Sequence, residues 1–502
     1  MKNIIVNLIF TILPIFLIGQ QKQDSGLNEV TQQIEELLEQ YHAAGLSISV
    51  VKNNEVIFSD GFGMRDISKG LPVDEQTLFS IGSCSKAFTA AMIGVLEHEG
   101  RLKMTDSPSS VLSDLKFQNI EMDNQVQIHH LLTHSSGLSN MSTESSSVMF
   151  PPQSLDALVH RLKYLQPSSK VGESFMYCNY TYGIASLISE NILENPWQEN
   201  LNTLVFEPLT LNNTVADNMH SLQFENRSIG YAVHEDKPYE VILEDMIGRG
   251  AAGRVYSNAQ DMAKWMKIWL NDGMLEDKQV LPKSYVQKAM QPQMKISGAH
   301  SSEGIDTSYS AYGYGWFLDN YFGYKKVHHG GAVSGYSSNV VLFPELNLGI
   351  CILANQSNSS LPYEVTNLIV DELLDIQRKE NEPNIRFSSA TRATKAPKNP
   401  ILNISKPSTV DLKSFCGNYS KNGFGTFEVF MKDKNLFVKF PFTTFRLIHD
   451  ENNGFTSDFA EEIPTVMPPF LYFDFNVSSD MTVVGVNTNM SENGAEFSRK
   501  GF

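Results

Sequence analysis

The stretch from Phe79 to Leu96 constrains the fold of this chain more than any other. After Phe79-Ser80-Ile81-Gly82 comes Ser83-Cys84-Ser85-Lys86, and the ten residues Ala87-Phe88-Thr89-Ala90-Ala91-Met92-Ile93-Gly94-Val95-Leu96 that follow are apolar almost all round. A surface helix carries one apolar stripe, whereas a helix apolar on every side has to lie in a core. With 502 residues, 41% of them hydrophobic, the chain has ample material to wrap it. Ser83 and Lys86 are three apart and fall on one face of that helix. A buried helix N-terminus sets free backbone N–H groups and positive partial charge beside the serine hydroxyl. An ammonium is costly to keep charged there, which favours a neutral Lys86 able to take the proton of Ser83. Ser-x-x-Lys alone is a loose pattern, and a second copy at Ser113-Asp114-Leu115-Lys116 has no such helix behind it.

Two further segments share the order and context that a nucleophile of this kind needs. Tyr177-Cys178-Asn179 follows a glycine turn and an aromatic in Gly172-Glu173-Ser174-Phe175-Met176, and opens a helical pattern at Tyr180-Thr181-Tyr182-Gly183. His329-Gly330-Gly331 lies in Val327–Ser338, a strand entering a tight loop, where paired glycines let a substrate backbone approach the strand edge. Taken singly, the first is also readable as a Tyr-rich loop packed on the core and the second as a core histidine in a hairpin. Their succession after Ser83 argues for a shared site.

Together these segments resemble the serine β-lactamase and penicillin-binding-protein superfamily, in its class C, DD-carboxypeptidase and esterase branch. Further stretches carry the likeness over about residues 26–378: the hairpin of Gly45–Val51 and Glu55–Phe58 through Asn53-Asn54, the helix and Ser-Gly turn of Ile128–Leu138, Ala251–Asn258 with Arg254 in place of a common second glycine, and Tyr312-Gly313-Tyr314-Gly315-Trp316. The resemblance implies an α/β (α+β) fold, an antiparallel sheet flanked by helices with an all-helical subdomain. It makes Ser83 the nucleophile, Lys86 its base and Tyr177 the second acid/base that passes the proton to the leaving group. Asn179 would hold Lys86 and the substrate. His329, placed in register by Gly335-Tyr336 three residues after the triplet, and Gly331 would bind substrate. The N–H groups of Ser83 and Ala332 would form the oxyanion hole, a large term in acyl transfer. The substrate is then a small peptide, amide or ester, and no cofactor is called for.

At one place the chain leaves the β-lactamase pattern. Class C enzymes carry Lys-Thr-Gly, whose cation and hydroxyl bind the antibiotic carboxylate, where this chain has His329 and Gly330. An imidazole of ordinary pKa is mostly neutral at pH 7, and loss of a hydroxyl paired with a carboxylate costs about 1–3 kcal/mol. His-x-Gly occurs in relatives that are D-amino-acid peptidases, DD-peptidases and esterases, so a peptidase or esterase is the expectation. A class C-type β-lactamase and a non-catalytic penicillin-recognising binding protein stay open as alternatives.

The rest of the chain bounds this reading. A formal net charge of −17 argues against nucleic acid or an anionic membrane surface as partner. His130 and His134, four apart on an expected helix, lack the glutamate after the first histidine that the zinc-protease spacing needs, and no metal is expected. Met1-Lys2-Asn3 and the apolar run to Gly19 read as a secretory signal peptide, residues 1–19, with no cysteine after it for lipid attachment. A periplasmic or secreted protein without a stable membrane anchor after signal cleavage is the expectation. Asn179-Tyr180-Thr181 is a glycosylation sequon in the expected site, so a bacterial export route fits best. Of the cysteines, Cys84, Cys178, Cys351 and Cys416, the first two sit in motifs that must meet, leaving either a Cys84–Cys178 disulfide or two buried thiols, the second being favoured. Residues 379–407 read as a linker, and 408–502 as short strands that resemble a small lipocalin-like β-barrel, with Asp433-Lys434-Asn435 as a hairpin connection. That barrel is open as a cover over the site or as a packing module. Asn140–Pro167 is a candidate rim of the site. Oligomeric state is not legible.

Overall fold

A computed structural model describes residues 27–140, 143, 149–150, 154–241, 250–297, 305–376, 408–441, 443–459, 471–491 and 494–501. The expected signal peptide and linker lie outside these residues, as does part of the rim.

An antiparallel sheet of nine strands forms the centre of the larger unit. In chain order they are β1 (Gly45–Lys52), β2 (Glu55–Asp66), β3 (Leu71–Pro72), β4 (Met294–Lys295), β5 (Ile305–Tyr312), β6 (Phe317–Tyr321), β7 (Tyr324–Val333), β8 (Tyr336–Phe343) and β9 (Leu348–Ala354). The spatial order is β4-β5-β6-β7-β8-β9-β1-β2-β3, so the N-terminal hairpin adds to the edge of a C-terminal meander. The β1–β2 turn is the expected Asn53-Asn54, both at positive φ (52° and 65°), the backbone that twists a two-residue hairpin correctly. Strands β8 and β9 are buried along their whole length, because helices cover both faces of the sheet.

On one face lie α1 (Asn28–Gln40) and, at the end of this unit, a helix at Leu361–Leu374; Ile34, Leu38, Val365 and Ile369 close a core with Ile48, Ile350 and Ile352. The other face carries α2 (Ser85–His98), α3 (Ile128–Leu132), α4 (Asn179–Leu193) and α5 (Ala259–Leu270); the Leu361–Leu374 helix is α6. The apolar surface of α2 is consumed as its sequence requires, with Phe88 stacked on Trp265 of α5 at 3.9 Å between ring centroids and Ala90, Met92 and Ile93 fully buried. Helix α3 stops at Leu132 and His134 follows in the left-handed region (φ 56°), so His130 and His134 do not share a helical face as expected.

In the C-terminal part of the chain, eight strands from Gly417–Lys421 to Ala495–Arg499 close into a barrel. The expected runs are there as Gly425–Lys432, Asn435–Lys439 and Tyr472–Val477. Asp433 and Lys434 supply the positive-φ turn (51° and 65°), while Asn435 already belongs to the next strand. Inward positions hold Tyr419, Phe427, Phe473, Phe475 and Phe497, all 3% exposed or less, so the interior is a packed aromatic core.

Candidate active site

Ser83 sits in the 3-10 turn Gly82–Cys84 that leads into α2. Two bonds clamp this turn onto the sheet: the Cys84 thiol donates to the His329 carbonyl (3.1 Å) and the Ser338 hydroxyl to the Ile81 carbonyl (2.8 Å). Gly82 has φ +51° and lies so close to β7 that a Cβ there would stand 2.7 Å from the Ala332 nitrogen. The amide of Ala332 is thereby brought beside Gly82-Ser83. Strand β6 pairs with β7 only from Tyr324 to His328, while β8 pairs with it from Val327 to Val333. Beyond His328 β7 has left its pairing with β6, and the turn that carries the half-buried Ser83 lies against this part of the strand.

The side chain of Lys86 is fully buried. Its Nζ donates to Asn179 Oδ1 (2.7 Å) and to the Ala252 carbonyl (3.0 Å), and reaches Ser83 Oγ at 3.1 Å. The first two partners can only accept, whereas a hydroxyl accepts or donates. A neutral amine therefore keeps two N–H bonds and points its lone pair at the Ser83 proton. The ammonium fits the same three atoms without moving, so the proton can be taken and returned in place. Tyr177 completes the group: Lys86 Nζ stands 4.8 Å from its ring centre, and its phenol lies near enough to Ser83 to be influenced by that hydroxyl. Burial pushes the phenol above its usual range, against the pull of Ser83, so Tyr177 is a proton donor at ordinary pH.

His329 takes a different role from a cation. Its Nδ1 lies 2.7 Å from the Gly330 carbonyl, which can only accept, so Nδ1 carries the hydrogen; Nε2 then accepts from the Tyr312 hydroxyl at 3.0 Å. Burial first, then the neighbouring Lys86, hold its pKa well below the ordinary histidine value, and the Gly330 carbonyl opposes them only in part. The expected cationic position thus holds a neutral ring with both nitrogens engaged. His328, the other register, points instead to Asp319 (2.7 Å), which also accepts from Ser310 (2.6 Å). Gly330 is required for another reason: a Cβ there would lie 1.7 Å from the Tyr363 hydroxyl of α6. The hydroxyl missing from residue 330 is therefore replaced in space by one from a distant helix.

The structure brings Ser83, Lys86, Tyr177, Asn179, His329, Gly331 and Ala332 together, and Ser113–Lys116 does not join them: Lys116 is exposed and faces Asp123. All four cysteines are free thiols, so the Cys84–Cys178 bridge is absent. The Cys84 thiol, pushed up to about 12 mainly by burial, carries no thiolate reactivity. The sequence assigned Ala252, whose carbonyl holds Lys86, no role in the site and offered His134 only as a metal ligand, whereas its Nδ1 accepts from the Cys178 amide (3.1 Å) and its ring lies 4.3 Å from that of Tyr177. It also missed the aromatic wall of Phe175, Tyr312 and Phe317 around Tyr177 and His329. Apart from Phe175, which lies two residues before Tyr177, each comes from an element distant along the chain from the residue it supports. Among the described residues there is no group of three or more His, Cys, Asp or Glu side chains that could hold a metal ion.

A mixed sheet-and-helix unit with a lysine-supported serine at the head of its central helix, followed by a closed barrel, is the architecture of the serine β-lactamase and penicillin-binding-protein class. The chain belongs to the Beta-lactamase family, whose sequence model matches residues 30–374. It is similar to Protein flp of Staphylococcus aureus (strain NCTC 8325 / PS 47), 27% identical over 345 residues, 68% of this chain and 66% of that one. It is also similar to the unguisins hydrolase ungD' of Aspergillus campestris, 24% identical over 422 residues, 79% and 77% of the two chains. In three dimensions it matches the octameric penicillin-binding protein homologue from Pyrococcus abyssi with a TM-score of 0.63 and 22% identity, over 94% of this chain and 99% of that one. At that identity the match speaks for the fold.

Proposed function

We propose that the protein is a serine hydrolase that cleaves an amide or ester through an acyl-enzyme on Ser83. The observation that carries this reading is the Lys86 amine, held by two obligate acceptors and 3.1 Å from Ser83 Oγ. Lys86 takes the hydroxyl proton as Ser83 attacks the carbonyl carbon. The oxyanion is held by the amides of Ser83 and Ala332. Tyr177, a neutral phenol beside Ser83, protonates the leaving group, and water then releases the acyl group by the reverse proton path. The name of one relative, a hydrolase, is in keeping with this. A neutral His329 offers no cation to a substrate carboxylate, which favours a peptidase or esterase over a β-lactamase. The Tyr363 hydroxyl at Gly330 is the feature that keeps the β-lactamase reading alive. We further place the mature protein in the periplasm or outside the cell, from the signal-like residues 1–19; N-terminal sequencing of the exported chain tests this.

The test is purified protein, wild type beside Ser83→Ala and Lys86→Ala, on a short-chain p-nitrophenyl ester, a D-alanine p-nitroanilide and nitrocefin. Ser83-dependent turnover of the anilide or the ester is expected. Turnover or fluorophosphonate labelling that survives Ser83→Ala removes the mechanism. Fastest turnover of nitrocefin makes the protein a β-lactamase.

A further inference from the structure

The rim and the barrel meet in a way that the chemistry just proposed does not use. Phe150, in the rim between the Ser-Gly turn and the Tyr177 motif, is 3% exposed, although it belongs to a connection between helices. Its ring is taken up by the barrel: it lies 5.4 Å from Phe440, 6.0 Å from Phe497 and 6.5 Å from Phe424, centre to centre. Phe427 forms the next layer down, 5.3 Å from Phe440 and 5.0 Å from Phe497. Entry is possible because residue 425 is glycine, where a Cβ would stand 2.5 Å from the Phe150 ring. The core of the catalytic unit and that of the barrel are in consequence one continuous apolar cluster.

From Phe150 a short set of bonds runs to the site. Its carbonyl accepts from the Arg161 guanidinium, and Arg161 also bonds the Tyr180 side chain. Tyr180 lies in the first turn of α4, directly after Asn179. The start of the same rim holds the same turn: Asn140 Oδ1 accepts from the Asn179 amide (3.0 Å), and Thr143 Oγ1 meets the Cys178 thiol (3.5 Å). Rim contacts therefore fall on residues 178, 179 and 180, between the proposed proton donor Tyr177 and the body of α4.

We propose that the barrel, by gripping Phe150, fixes the first turn of α4 and with it Tyr177 and Asn179, so that Phe150 and Arg161 are positioning residues of the active site. The inference rests on the hydrolase reading only for its kinetic consequence. An offset of about 1 Å in a proton donor is enough to cost up to about a hundredfold in rate without loss of substrate binding. The barrel then acts on turnover through the rim and supplies no reacting group.

The experiment uses full-length Phe150→Ala, Phe150→Leu and Arg161→Met beside wild type, each first shown to melt cooperatively. Hydrogen–deuterium exchange of the segment 175–182 is read together with kcat and KM on the chromogenic substrate that wild type turns over. In Phe150→Ala and Arg161→Met that segment is expected to exchange several-fold faster and kcat to fall about tenfold or more, with KM little changed. Phe150→Leu, which refills the barrel mouth, is expected to restore most of both. Exchange at 175–182 that stays at the wild-type rate, with change confined to 149–165 or the barrel, overturns the proposal. So does faster exchange with unchanged kcat. If wild type proves inert and Ser83 takes no label, the hydrolase reading fails while the exchange data still decide the coupling. If Phe150→Ala does not fold, Arg161→Met carries the comparison, with Phe150→Leu as the near-wild-type control.

Discussion

At the scale of single residues, His329 is where identity and environment part company. A histidine in a slot that relatives fill with lysine invites an imidazolium, yet the ring is buried, donates to one carbonyl and accepts from one hydroxyl. Its proton-free Nε2 is committed to Tyr312, so protonation requires breaking that bond as well as charging a buried ring. We expect nitrogen-15 spectra to show the neutral Nδ1–H tautomer for His329 from pH 8 down to 5.5. An imidazolium signal in that window would show that a cation is available to bind carboxylates. The kcat/KM profile should in turn lack an inflection from His329 near pH 6.5. Ser83, Lys86, Tyr177 and Asn179 were legible because each lies in a short motif with fixed spacing. Ala252, His134 and Tyr363 were not, because what recruits them is a carbonyl direction, a ring face and a hydroxyl delivered from another element.

At the scale of elements, the turn that carries Ser83 is set by a backbone demand rather than by side-chain chemistry. Gly82 has both a positive φ (+51°) and a neighbouring strand within 2.7 Å of its missing Cβ, whereas Gly70, at φ +63°, has nothing within 4 Å. Gly70→Ala should therefore cost only the left-handed conformation, about 1–2 kcal/mol, and leave turnover alone. Gly82→Ala should destabilise by the same conformational amount and in addition push β7 from the turn, separating the Ala332 and Ser83 amides. Loss of one oxyanion donor is worth about a hundredfold or more in kcat. Thermal melting and initial rates on both variants check this; equal rates would mean that the two amides do not act together. The same local logic explains what was readable among the elements. Hairpins at Asn53-Asn54 and Asp433-Lys434 announce themselves through turn residues, and α2 through its unbroken apolar run. The early end of α3 did not, since the sequence Leu132-Thr133-His134 has no breaker; the chain turns there because His134 is drawn under Tyr177 to accept from the Cys178 amide.

At the scale of the whole molecule, the fold stores a set of histidines in their neutral form, and this ties its stability to pH. His129 is held at about 4 by burial, then by His130 and Lys288, while burial leads the depression of His130, His134, His328 and His329 as well. In the unfolded chain each takes up a proton near pH 6.5. Between that value and its lower folded value, the unfolded state binds the extra proton, so stability is complete above about pH 6.5 and falls as pH falls. The limit is about 1.4 kcal/mol per pH unit for each group fully displaced, and less for the partly exposed His129 and His130. Asp319 adds a later loss: burial would raise it, but His328, Ser310 and Lys326 hold it at about 2, so its contribution disappears only below the ordinary aspartate value. Urea midpoints should drop steadily from pH 7 to 5, before most carboxylates titrate. His134→Gln, which replaces a buried base that cannot protonate in place, should lower overall stability yet flatten that slope. A midpoint constant between pH 7 and 5 would mean that these rings find protons inside the fold, and the neutral His329 on which the choice of peptidase or esterase over β-lactamase rests would go with it.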